Sequence, residues 1–171
     1  MLRADGAACH SALEDNRSDG GVRPARPDDL PALLELEQHF PGDRLSRRSL
    51  RRLIGHAEVL AYEENGAVIG NIVTLYRRNS TRARLYSLIV HPHSQGCGIA
   101  TTLLNAAERA AIQRGCTILS LEVRNDNGAA LRLYQKRGYS VAGRVENYYD
   151  DGAPALRLSK TLASTPMDYS K

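Results

Sequence analysis

Apolar residues follow two periods along this chain, and each change of period marks a helix giving way to a strand. Leu30, Leu33, Leu34 and Leu36 recur at helical spacing behind Asp28, a residue able to cap a helix. Phe40-Pro41-Gly42 closes that run. Ser46 can cap a second, basic helix whose Leu50, Leu53 and Ile54 make a narrow apolar stripe. Residues 59–62 and 68–76 read as strands joined through Asn65-Gly66, a pair favoured in two-residue hairpin turns. A third strand over 83–90 is stopped by His91-Pro92, because proline lacks a ladder donor and restricts the residue before it. The best helical pattern spans 99–114, with Ile99, Leu103, Ala106, Ala107 and Ala110 on one face and Gly115 as the stop. In the strand over 116–123, Leu119, Leu121 and Val123 alternate against Ser120, Glu122 and Arg124. A helix over 127–137 ends at Gly138, and strands over 139–146 and 155–162 flank a connection at 147–152.

This order predicts one α/β (α+β) domain over residues 22–162 built on a mixed sheet. Residues 1–21 carry Ala, Ser, Asp and Gly without apolar periodicity and read as a flexible leader; 163–171 read as a frayed tail. No internal repeat is visible.

Composition narrows the class. An apolar fraction of 42% with 25% charged residues excludes a disordered or fibrous chain, and 171 residues suffice for a substantial core. The longest apolar runs, such as Leu88-Ile89-Val90, fall far short of a membrane span, and no secretory pattern opens the chain, so the expectation is cytoplasmic. Cys9, Cys97 and Cys116 form no close pair, which argues against a disulfide framework or a zinc site. A net charge of +4 favours anionic ligands only weakly. Arg44, Arg47, Arg48, Arg51 and Arg52 crowd one segment, but no aromatics interleave there for stacking on bases. That segment is read as a solvated helix face rather than a nucleic-acid site.

The candidate chemistry lies between Val90 and Gly138. The turn Gln95-Gly96-Cys97-Gly98-Ile99-Ala100 links a strand to a helix, and helix-opening amides with glycines beside them suit a pyrophosphate. The same glycines would also serve merely to shape the turn. The dinucleotide fingerprint and the P-loop are both excluded: the spaced third glycine and downstream acid of the first, and the Gly-Lys-Ser/Thr of the second, are missing.

Gln95, Gly98 and Ala100 fit the pattern Gln/Arg-x-x-Gly-x-Gly/Ala, preceded by Leu88-Ile89-Val90-His91-Pro92 and followed by an amphipathic helix. With Leu121-Glu122-Val123-Arg124, Asn127, Ala130-Leu131-Arg132-Leu133-Tyr134, Arg137-Gly138-Tyr139 and Asn147-Tyr148-Tyr149, the chain resembles the GNAT acetyltransferases. The nearest branch by resemblance is the ribosomal-protein-alanine N-terminal acetyltransferases. The likeness is strong over 83–162 and loose over 22–82. It implies a single domain with a mixed, mostly antiparallel central sheet flanked by helices, and acetyl-CoA as co-substrate with no metal. It further implies that Leu88, Ile89 and Val90 pair with the pantetheine arm, with the Val90 amide as oxyanion donor. Gln95, Gly96, Cys97, Gly98, Ile99, Ala100 and Thr101 would hold the pyrophosphate, and Asn127 would contact the cofactor near its arm. Relatives often carry basic residues where this chain has Gly96 and Cys97, so backbone donors must do the holding here.

Acyl transfer to an amine needs a proton acceptor for the amine and a donor for the leaving thiolate. Glu122 is the expected base, acting directly or through water, and Tyr134 the expected acid. The plain structural alternatives are a Glu122–Arg124 ion pair and a Tyr134 that only packs. His91 and His93 lack further ligands for a metal. An α-amine titrates near 8 and a lysine amine near 10.4, so the first is about a hundredfold easier to present neutral at pH 7. A protein N-terminus, such as that of a ribosomal protein, is therefore the expected acceptor, with Tyr148 and Tyr149 closing over it. The alternatives are a small amine (polyamine, metabolite or drug) and a non-catalytic acyl-CoA sensor or ribosome-binding module.

Overall fold

A computed structural model describes residues 20–40, 45–56 and 58–163. The leader expected over 1–21 and the tail over 163–171 lie outside the described residues except at 20, 21 and 163, and so does Arg44.

One seven-stranded sheet organises the chain, in the order β1-β2-β3-β4-β5-β7-β6. The strands are β1 (Gly21–Pro24), β2 (Glu58–Glu64), β3 (Ala67–Tyr76), β4 (Arg82–Val90), β5 (Ile118–Arg124), β6 (Ser140–Val145) and β7 (Ala155–Thr161). Among the described residues only β4 and β5 pair in parallel; every other ladder is antiparallel. The helices are α1 (Leu30–Gln38), α2 (Arg47–His56), α3 (Ile99–Gln113) and α4 (Gly128–Lys136).

Most local signals act as the sequence suggests. Asn65 and Gly66 take positive φ, 50° and 78°, and turn β2 into β3. Ser46 Oγ accepts the Ser49 amide at 3.1 Å and so caps α2. Two points differ. The expected Asp28 cap is not made: a 3-10 turn over Pro27–Asp29 precedes α1, and Asp29 stands at the N-cap position with no side-chain bond to the helix. The Asp29 carboxylate is instead taken by Arg23, at 2.7 and 2.9 Å, and that guanidinium holds its pKa below the usual carboxylate range. The second difference is β1, a four-residue edge strand whose single apolar residue, Val22, gives no periodic signal. Pairing with β2 and the Arg23–Asp29 and Arg23–Glu63 contacts fix it in place.

Both faces of β2–β4 are covered. On one side α3 buries Leu103, Leu104, Ala107 and Ala111 against Ile72, Leu85, Leu88, Leu119, Leu121 and Leu158, a cluster that also takes in Ala130 and Tyr134 of α4. On the other, Leu30 and Leu33 of α1 and Leu50 of α2 pack on Val59 and Val73. Gly70 lets α3 approach: a Cβ there would stand 3.1 Å from the Ile89 carbonyl and 3.2 Å from Leu103 Cδ1. Leu121 and Val123 face the α3–α4 cluster, so strand alternation turns Glu122 to the opposite face.

The feature that makes a site is a split in the sheet. The β4–β5 ladder holds only Arg82↔Ile118, Ala83↔Leu119 and Arg84↔Ser120, although β4 runs on to Val90 and β5 to Arg124. Past Arg84 the two central strands part, and the facing backbone edge of β4 has no partner strand among the described residues.

Candidate active site

The split opens into a cleft of about 270 Å³. Its walls are residues 85–89 of β4, residues 122–124 of β5, Asn127, Ala130 and Tyr134 of α4, and Tyr148 and Tyr149 of the β6–β7 connection. Glu37, Phe40 and Leu45 close it from the α1–α2 side. Of the residues singled out by sequence, Leu88, Ile89, Glu122, Asn127, Tyr134, Tyr148 and Tyr149 thus share one cavity. Val90 is buried at the end of β4, and the Gln95-to-Thr101 turn lies beyond the cleft lining, at the mouth of α3.

Tyr134 is placed by α4. Asn127 caps that helix, its Oδ1 accepting the Ala130 amide at 3.1 Å, and helical spacing then puts Ala130 and Tyr134 on the inner face together. The ring is 6% exposed and meets Tyr139 edge-on at 5.6 Å between centroids. Burial, with a smaller push from Tyr149, raises the phenol well above its ordinary pKa, so it holds its proton at any physiological pH. Its hydroxyl has no hydrogen-bond partner among the described residues.

Glu122 is fixed from both sides. Arg84 Nε donates to Oε2 at 2.9 Å and Arg157 Nε to Oε1 at 3.3 Å. Each carboxylate oxygen keeps a further lone pair for water or an amine. This corrects the alternative pairing with Arg124, whose guanidinium turns instead to Asp126 and Asp151. Arg84 and Arg157 carried no signal in the sequence, because their nearness to Glu122 is set by register. Arg157 stands directly opposite Glu122 in the β5–β7 ladder, and Arg84 pairs with Ser120, one same-face step before Glu122. Tyr148 completes the group by accepting from Arg84 Nη2 at 3.0 Å, and its ring meets Tyr149 edge-on at 5.0 Å.

The turn ahead of α3 fits a diphosphate. Gly96 and Gly98 take φ of 81° and 78°, and a Cβ at either position would meet nothing within 4 Å. The glycines are therefore needed for backbone conformation and leave the surface open. The first helical bond runs from the Thr102 amide to the Gly98 carbonyl at 3.0 Å, so the Ile99, Ala100 and Thr101 amides have no acceptor within the helix. Gln95 reaches back to the Val90 carbonyl at 3.2 Å, tying the turn to the end of β4. Cys97 is exposed here and Cys116 is buried ahead of β5. His91 and His93 stack at 5.3 Å beside the turn and are absent from the cleft lining.

A split parallel pair, a helix mouth open to a phosphate and a cleft that joins a carboxylate to a phenol define an acyl-CoA-dependent transferase. Residues 27–139 match the acetyltransferase (GNAT) family, and the chain belongs to it. Its fold is similar to that of Ard1 from Thermoplasma volcanium, with 23% identity, a TM-score of 0.78, and coverage of 84% of this chain and 98% of that one. It is also similar to the ribosomal-protein-S18-alanine N-acetyltransferase from Escherichia coli, at 25% identity and TM-score 0.77, over 87% and 97% of the two chains. A third likeness is to the NatC complex bound to Gag peptide and CoA, at 23% identity and TM-score 0.74, over 84% and 99%. The expected mixed, mostly antiparallel sheet with flanking helices is the fold observed. The GNAT fold uses acetyl-CoA as the acyl donor. Among the described residues no helix is long and apolar enough to cross a membrane.

Proposed function

We propose that this chain moves the acetyl group of acetyl-CoA directly to the N-terminal α-amine of a protein, of which a ribosomal protein is one example. The observation that carries the reading is the sharing of one cleft by Glu122, clamped between two guanidiniums, and Tyr134, a buried phenol with no acceptor for its proton among the described residues.

The amides opening α3, with Gln95, Gly96, Cys97 and Gly98, hold the pyrophosphate. The unpaired edge of β4 over Leu88, Ile89 and Val90 takes the pantetheine arm by the hydrogen bonds a neighbouring strand would otherwise make, and Asn127 flanks it. These contacts deliver the thioester carbon into the cleft. An α-amine, deprotonated by Glu122 through a free lone pair or an intervening water, attacks that carbon. The Val90 amide faces the developing oxyanion. Collapse breaks the carbon–sulfur bond, and Tyr134 gives its proton to the departing thiolate. The raised pKa of the phenol keeps that proton in place until a strong base forms beside it.

A peptide N-terminus is favoured over lysine by the lower pKa of the α-amine, and Tyr148 and Tyr149 offer a wall for an extended segment. Likeness to an enzyme named for a ribosomal-protein alanine and to a peptide-bound NatC complex supports the same acceptor class. The test is incubation with acetyl-CoA and a library of free-N-terminus peptides, read by mass spectrometry. Acetyl groups at peptide N-termini are expected; transfer confined to lysine side chains or small amines would replace this acceptor with another.

A further inference from the structure

Arg84 is held more firmly than a surface arginine, yet part of its donor set is unspent. Its Nε donates to Glu122 and its Nη2 to the Tyr148 hydroxyl, and its guanidinium carbon lies 5.8 Å from the centre of the Tyr86 ring. Nη1 has no partner among the described residues, Nη2 has a second N–H, and the side chain remains 42% exposed in the cleft. The outer edge of the guanidinium fork therefore faces the space an acceptor would fill.

Charge accounting points the same way. Arg84 and Arg157 share the single carboxylate of Glu122, so this corner of the cleft carries excess positive charge. Arg124 adds none, being matched by Asp126 and Asp151. The other carboxylate in the lining, Glu37, is 5% exposed and accepts the Leu45 amide at 3.1 Å on the α1–α2 side.

We infer that Arg84 is an acceptor-recognition residue whose free guanidinium edge binds a carboxylate, so that the preferred acceptor carries an acidic group close to its amine. This inference rests on the acceptor reading above and narrows it to peptide N-termini with Asp or Glu next to the first residue. The fork geometry of a guanidinium matches a carboxylate in two parallel hydrogen bonds. Glu122 and Tyr148 have already fixed its rotamer, so little side-chain freedom is lost when the acceptor arrives. A lysine in the same place would meet repulsion.

The test compares kcat/KM for otherwise identical peptides beginning Ala-Asp, Ala-Asn and Ala-Lys, at low and raised salt. The Asp peptide is expected to exceed the Asn peptide about tenfold, the effect of one charge-assisted hydrogen bond. The Lys peptide should be slowest, and salt should compress the series. In Arg84→Gln the Asp-to-Asn ratio should fall to near one whatever the overall rate, with Arg84→Lys recovering part of it and thermal unfolding confirming that both variants fold. Equal wild-type rates for Asp and Asn, or a ratio that survives Arg84→Gln, overturn the carboxylate subsite and leave N-terminal transfer standing. Transfer to no peptide at all overturns the peptide acceptor instead. The question then passes to β-alanine against propylamine: a preference for β-alanine that Arg84→Gln abolishes supports the subsite, and equal rates overturn it.

Discussion

Two tyrosine–glutamate arrangements stand side by side in this domain; we propose catalysis for one, and the other holds the fold. Tyr139 and Glu108 form the first. Tyr139, just ahead of β6, donates its hydroxyl to Glu108 of α3 at 3.0 Å, and Lys160 of β7 takes the other carboxylate oxygen at 2.7 Å. Tyr134 and Glu122 form the second. The tyrosine rings touch, both are nearly fully buried, and burial raises both phenols well above their ordinary pKa. Both glutamates are ion-paired and equally shielded, with 11% and 12% of the side chain exposed. Burial, pairing and pKa thus fail to separate the two. What separates them is the destination of the phenol proton: Tyr139 gives it to Glu108, whereas Tyr134 lines the cleft and has no such acceptor among the described residues.

That contrast is breakable at three of its four residues. The largest effect is expected from Tyr134→Phe, which should lower kcat about a hundredfold or more by removing the proposed acid. Its unfolding free energy should stay within about 0.5 kcal/mol of wild type, since the hydroxyl has no partner among the described residues to lose. A kcat near wild type would reduce Tyr134 to a packing residue. Glu122→Gln comes next, with a fall in kcat/KM of roughly a hundredfold and only a small stability change, because Arg84 and Arg157 are half-exposed and can be re-solvated. Steady-state kinetics beside a urea titration measures both quantities in each variant.

Tyr139→Phe should invert the pattern. Losing a buried hydrogen bond to a charged acceptor should cost about 1–2 kcal/mol of stability while kcat changes by less than about twofold. A catalytic loss as large as that of Tyr134→Phe would erase the distinction between the two pairs. The smallest effect concerns alkaline pH. Tyr139 is raised first by burial and then by Glu108, so the folded state keeps a proton that the unfolded chain releases. Below about pH 10 both states are protonated and this stability is fully present; above it the unfolded state sheds protons and stability falls. Thermal melts across that range should decline more steeply for wild type than for Tyr139→Phe.

The parts of the site were legible in the sequence wherever a local pattern specifies them. Gly96 and Gly98 ahead of an amphipathic run give the open helix mouth, Asn127 gives the cap that starts α4, and Tyr134 falls on that helix's inner face by spacing alone. Glu122 was legible as a carboxylate on the face opposite Leu121 and Val123. Its partner was not: Arg124, two residues away, is the natural guess, but a strand neighbour on the same face competes with residues brought in from other strands. The short edge strand β1 was invisible for a related reason, since four residues with one apolar side chain have no period of their own and form only because β2 offers a ladder.

Sequence by itself determined the elements other than β1, their order and the faces they bury, because each rests on periodicity or on turn chemistry within a few residues; the family followed from the resemblance of its motifs. Tertiary structure alone decided which charges meet. The parallel β4–β5 register stops at Arg84, the antiparallel β5–β7 register sets Arg157 against Glu122, and the β6–β7 connection carries Tyr148 back to Arg84. Ladder register between distant strands is a balance struck across the whole sheet, so no local window of the chain contains it.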